Sequence, residues 1–133
     1  MPFLTPLVMQ LLNDREQFPF ITLAPLEYES ALTGETYTVP AYFRTDGASL
    51  PAALVAVPVV GQALFLRYFG QGVFQGFKQG VLHDWLRRPD KVTGKPPVPA
   101  KVAHLVFKEA LEEAGYPEDL VSTYHAAVVA FNS

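Results

Sequence analysis

Residues 36–51 read TYTVPAYFRTDGASLP, and the character of the chain changes inside them. Up to Phe43 the side chains alternate. Tyr37, Val39, Ala41 and Phe43 fall on one face, and Thr36, Thr38, Pro40 and Tyr42 on the other. A period of two marks a strand with one buried face. After Phe43 the alternation stops. Asp46-Gly47 is a strong turn signal, so residues 44–51 read as a loop. Asp46 or Ser49 would cap a following helix, its side-chain oxygen accepting from the first unpaired backbone N–H groups. The stretch thus divides the chain into residues 1–46, mainly β, and residues 47–133, mainly α, within one domain.

Working outward, FPFITLAPLEYES (18–30) is extended and studded with proline, and ALTGE (31–35) supplies a turn into TYTVPAYF. Pro19, Pro25 and Pro40 suit edge positions or bulges, because proline donates nothing to a ladder. MPFLTPLVMQLL (1–12) adds a further strand. Downstream, short helices are expected over 50–57 and 61–69. A longer one runs from Val73 to Arg88, with Phe74, Phe77, Val81 and Trp85 as its apolar stripe. RPDKVTGKPPVP (88–99) is a loop. Pro99 suits the first turn of the next helix, which stops at Gly115. Pro117-Glu118-Asp119 opens a last helix, whose buried stripe is Leu120, Tyr124, Val128 and Phe131. The fold class is α+β, a small N-terminal antiparallel β-meander followed by a bundle of about three to five helices.

Composition limits the function. Half of the 133 residues are hydrophobic, enough for a core. Net charge is −3 and no basic run exceeds Arg87-Arg88, so no nucleic-acid face is expected. There is no cysteine, which removes disulfides, thiolate zinc sites and thiol nucleophiles and fits a reducing compartment. The first residues lack a basic region and carry Pro2 and Pro6, so no signal peptide is expected. Residues 47–66 hold no charge and are long enough to span a bilayer. Pro51, Pro58, Gly61 and Gln62 break that run, and Arg67 closes it. Two short buried helices are expected there. An apolar flap touching lipid or a partner, without crossing the membrane, is the alternative.

The densest chemistry lies in VLHDWLRRPD (81–90). Gly72, Gly76, Gly80 and Asp84 recur every four residues and would form one helical ridge, suited to close packing. His83 and Asp84 are adjacent, and neighbouring helical residues point about 100° apart. They are not a hydrogen-bonded dyad, and each must face its own partner. His104, Tyr124 and His125 fall on later helices, and His104 sits one step off the Phe107/Leu111 stripe. No two histidines have the i, i+4 spacing of a helical zinc motif. There is no G-x-S-x-G elbow and no phosphate loop.

VPAYFRTDGASLP (39–51), VLHDWL (81–86), PAKVAHLVFKEALEEAG (99–115) and STYHAAVVAF (122–131) occur in that order. Together they resemble the phage and bacterial family known as domain of unknown function 1353. The family is common in tailed phages and prophages. The resemblance implies a phage origin and so synthesis in a bacterial host's cytoplasm, with incorporation in the virion as one of the readings below. Its H-D helix is also similar to the H-D-x-x-Y helix of secretory and parvoviral phospholipases. That similarity implies His83 as the base that activates water. Asp84, with Asp46, would hold a divalent cation such as calcium, and Ser49, Arg87 and Tyr124 would bind or orient. Two positions depart from the pattern. Arg87 stands where the tyrosine is expected, and His104 stands where a second helix carries an aspartate. His104 therefore joins His83 and Asp84 as a candidate catalytic residue.

Three functions stay open. One is a virion-associated tail or capsid accessory carrying a degenerate hydrolase-like His-Asp site, its partners other phage structural proteins or itself. Another is a small hydrolase, phospholipase-like or envelope-degrading. The third is a host-factor or ligand-binding protein acting during infection.

Overall fold

The computed structural model describes residues 3–11, 20–45 and 77–131. Five short strands precede three helices among them. The strands are β1 (Met9–Leu11), β2 (Phe20–Thr22), β3 (Leu26–Glu29), β4 (Thr36–Val39) and β5 (Arg44–Thr45). The helices are α1 (Phe77–Arg87), α2 (Ala100–Glu113) and α3 (Glu118–Phe131). The class is α+β.

The strands do not run in sequence through one meander. They form a three-stranded antiparallel sheet in the order β1-β2-β5 and a separate β3-β4 hairpin. The chain leaves the first sheet after β2, makes the hairpin, and returns to lay β5 against β2. In the hairpin Leu26 pairs with Val39 and Tyr28 with Tyr37. Those four side chains share the buried face, while Thr36 and Thr38 are exposed. Such cross-strand apolar pairs fix register, because a one-residue slip would expose all of them. Gly34, at φ +72°, makes the turn, and its N–H donates to the Ser30 carbonyl at 2.9 Å. Phe3 bridges to Tyr28, with ring centroids 4.8 Å apart, so the N-terminal segment touches the hairpin as well as the sheet.

The alternation expected through Phe43 ends early, since β4 stops at Val39. Pro40 cannot donate to a ladder. Thr22 captures the following loop instead. Its hydroxyl donates to the Pro40 carbonyl at 2.8 Å and accepts the Phe43 N–H at 2.9 Å. Ala41-Tyr42 turns the chain, and β5 begins at Arg44.

On α1 the buried residues include Gln79, Val81, Leu82, His83 and Leu86. The buried face is centred on the Leu82/Leu86 pair. Trp85, expected on the stripe, lies half-buried at its edge. Pro99 is the residue that precedes α2, with extended backbone, and its carbonyl accepts the Ala103 N–H at 3.0 Å. At the other end Gly115 takes φ +83°. Its N–H donates to the Glu112 carbonyl at 3.0 Å, and the Tyr116 N–H to the Leu111 carbonyl at 3.4 Å. This is a Schellman cap with glycine at its left-handed position, and Tyr116 packs on the adjoining core. Glu118 and Asp119 occupy the first turn of α3, where carboxylates complement the helix dipole.

Helix α2 serves two apolar clusters. Phe107 and Leu111 pack with Leu120, Val121, Tyr124, Ala127 and Val128 of α3. Ala103, Val106 and Ala110 pack with α1 and with Leu26, Tyr28, Tyr37 and Val39 of the hairpin. Glu109 pins the hairpin to α2. Its carboxylate accepts from the Tyr28 hydroxyl at 2.6 Å and from the Leu32 N–H at 2.7 Å. No helix among the described residues is long and apolar enough to cross a membrane. Residues 46–76 lie outside the described residues. The expected helices over 50–57 and 61–69, the uncharged stretch, Gly72, Gly76 and Phe74 therefore do too.

Candidate functional site

Helix α1 carries His83 and Asp84 side by side and sends them to different elements. His83 lies on the face packed against α2, and Asp84 lies toward β5. Each residue is bonded to its own partner.

The His83 ring is 6% exposed. Its Nε2 is 2.9 Å from Nδ1 of His104 on α2. The ring centroids are 5.1 Å apart with planes at 26°, so the rings meet through nitrogen edges rather than overlapping. Phe107 packs against His83, with centroids 5.2 Å apart. Burial strips water from the charged form, and His104 and Arg87 add positive charge nearby, so the His83 pKa is pushed down to about 3. His104 shifts the same way, through burial first and then Arg87 and His125. Its Nε2 is buried and finds no hydrogen-bond partner among the described residues. Both rings are therefore neutral near pH 7 and share one hydrogen.

Asp84 is held on the opposite side. Both carboxylate oxygens accept from Nη2 of Arg88 at 2.9 Å. Oδ2 also accepts the hydroxyl of Thr45, the last residue of β5, at 2.7 Å. Arg88 in turn donates to the Arg44 carbonyl at 3.2 Å and lies over the Phe43 ring at 4.9 Å. A calcium ion takes six to eight oxygen ligands. Here the Asp84 oxygens face a guanidinium that a divalent cation would have to displace. Among the described residues no group of three or more His, Cys, Asp or Glu side chains could hold a metal ion. Asp46, the other expected ligand, lies outside the described residues.

The other candidates are scattered. Arg87 is half-buried beside the histidine pair and acts on both rings through its charge. Tyr124 is 1% exposed inside the cluster of α2 and α3. His125 is half-buried, and burial lowers its pKa. Asp46 and Ser49 lie outside the described residues. The structure thus brings His83 and His104 together and sends Asp84 elsewhere. Two residues that sequence reasoning missed complete the picture. Arg88 stands at i+4 from Asp84, a spacing that signals a helical ion pair. Thr45 carries no such signal, because its contact spans 39 positions.

Residues 20–128 match the model of a family described as protein of unknown function (DUF1353). No curated protein and no solved structure matches the chain.

Proposed function

The chain belongs to this family, whose description states no activity, and from the geometry we propose a non-catalytic accessory component of a phage particle. In it the His-Asp pair braces the fold. The phage part of the proposal rests on the family resemblance. The non-catalytic part rests on one observation: His83 is bonded to α2 and Asp84 to β5 and Arg88. General bases work best with a pKa near the operating pH. An imidazole at about 3 is a poor acceptor for a proton from water.

Mass spectrometry of gradient-purified particles tests the proposal. The protein should appear at a fixed copy number, and its absence removes this reading. One observation favours a hydrolase instead. In a two-ring proton relay His104 Nδ1 would accept the Nε2 hydrogen of His83, and the outer Nε2 of His104, unpartnered among the described residues, would pass its own hydrogen on. That reading predicts fatty-acid release from phospholipid vesicles by the pure protein, abolished in His83→Ala.

A further inference from the structure

We propose that the cleft between the β4-β5 turn and the end of α1 is a carbohydrate site. Its ligand is a neutral oligosaccharide of six-membered rings, stacked on Tyr42 and Trp85 and hydrogen-bonded to Asp90 and Lys91. The cleft includes neither His83 nor His104, so the inference goes beyond the proposed function and does not depend on it.

The first observation is Tyr42. It stands at φ +65°, the only non-glycine residue with positive φ among those described. Its side chain is 72% exposed. The left-handed region crowds an L-residue's Cβ, and a bulky aromatic there is an outlier. The strain persists because Thr22 over-determines the loop. Besides the two hydroxyl contacts, the Thr22 N–H donates to the Phe43 carbonyl at 3.0 Å. The Thr22 carbonyl accepts the Tyr42 N–H at 2.7 Å. Glycine would satisfy this turn at lower cost. An aromatic ring held there and turned to solvent serves neither the turn nor the core, and strain of this kind clusters where proteins meet ligands.

The second observation is what shares the cavity with that ring. Its volume is about 430 Å³, within the roughly 300–1,000 Å³ of small-molecule sites. Trp85, half-buried, supplies a second aromatic wall. The Phe43 ring is already covered by the Arg88 guanidinium at 4.9 Å. Arg44, Arg88, Lys91 and Asp90 bring both signs of charge to the lining, and Arg88 is paired with Asp84, so charge does not choose the ligand. Hydrogen-bonding capacity does. Asp90 accepts the N–H groups of Val92 and Thr93 with Oδ1 alone, which leaves Oδ2 open among the described residues. The Thr93 and Val92 bonds hold the Asp90 carboxyl below its usual pKa, so it stays a carboxylate that only accepts. A proline-rich peptide packs on aromatic walls but has few N–H groups to offer that oxygen. An apolar ligand offers it none. A pyranose ring meets both demands. Its C–H face is electropositive and lies on the electron-rich face of an aromatic ring. Its hydroxyls donate to Asp90 and accept from Lys91.

Titration calorimetry of the whole protein tests this, with neutral tetrasaccharides of α-linked glucose, β-linked glucose and β-linked N-acetylglucosamine beside a proline hexamer. Trp85 is the chain's one tryptophan, so its fluorescence reads the cleft directly. At least one tetrasaccharide should bind saturably and shift the Trp85 emission. Its affinity should be the same at low and high salt, because a neutral ligand has no charge to screen. Tyr42→Gly removes the ring and relieves the backbone, so it should keep its melting temperature while losing about tenfold or more in affinity. Asp90→Asn keeps an oxygen for the Val92 and Thr93 N–H groups but ends the charge-assisted bond, and should weaken binding by about fivefold or more. The proposal is overturned if no tetrasaccharide binds, if heat appears without a change in Trp85 emission, or if either variant binds as tightly as the parent. Equal or tighter binding of the proline hexamer would make the cleft a peptide groove. An affinity that falls steeply with salt would make it a site for charged ligands. Either result also overturns the proposal.

Discussion

Acid should destabilise this protein well before its carboxylates titrate, and His83 is the main cause. In the unfolded chain an imidazole has a pKa near 6.5. Folded, His83 sits at about 3. Above pH 6.5 the ring is neutral in both states and costs nothing. Below it the unfolded chain takes up a proton that the folded chain refuses, so stability falls as pH falls. The loss is about 1.4 kcal/mol per pH unit for one proton, and it continues down to the folded pKa. At pH 4.5, two units into the window, His83 alone removes about 2.7 kcal/mol. His104 and His125 shift the same way and add to it. Domains of this kind have about 5–15 kcal/mol in all. Urea unfolding followed by circular dichroism between pH 7.5 and 4.5 measures the loss, with a constant m-value as the check on two-state behaviour. In a His83→Leu/His104→Leu double variant the slope between pH 6.5 and 4.5 should drop by one to two protons. Equal stability at pH 7 and 4.5, or a His83 proton resonance titrating near 6.5, would refute the burial argument.

Three further outcomes are expected. Asp84→Ala leaves the fully buried Thr45 hydroxyl without its acceptor and Arg88 without its ion pair. It should cost about 1–3 kcal/mol in chemical unfolding, while a structurally idle carboxylate would cost nearly nothing. Glu109→Ala frees the Tyr28 hydroxyl and the Leu32 N–H together and should cost about as much, with Glu109→Gln recovering most of it. Gly115→Ala meets no steric neighbour yet must hold φ +83°, so it should lower stability by about 1–2 kcal/mol through backbone strain alone.

What was legible in the sequence follows from the range of each interaction. Alternation over Thr36–Val39, the Gly115 stop and the acidic first turn of α3 are encoded within a few residues, and the structure keeps them. The return of β5 to β2 is not local. It depends on Thr22 reaching the Pro40 carbonyl 18 positions away, which no periodicity announces. The divergence of His83 and Asp84 was legible because helical geometry alone requires it. Their partners were not, because His104 and Thr45 arrive through the packing of α1 on α2 and beside β5. The i, i+3, i+7 spacing of His104, Phe107 and Leu111 is a signal that could have marked His104 as buried.

The shared hydrogen between His83 and His104 has two tautomeric arrangements. If His83 Nε2 carries it, His104 must hold its own hydrogen on Nε2 and presents a donor there. If His104 Nδ1 carries it, that same Nε2 presents a lone pair. The outer nitrogen of His104 thus changes polarity with the tautomer of the pair: as the shared hydrogen crosses, His104 Nε2 gives up a proton and His83 Nδ1 takes one, so both rings stay neutral and no heavy atom has to move. Whatever group approaches that nitrogen selects the tautomer, so His83 can register its hydrogen-bonding character without touching it.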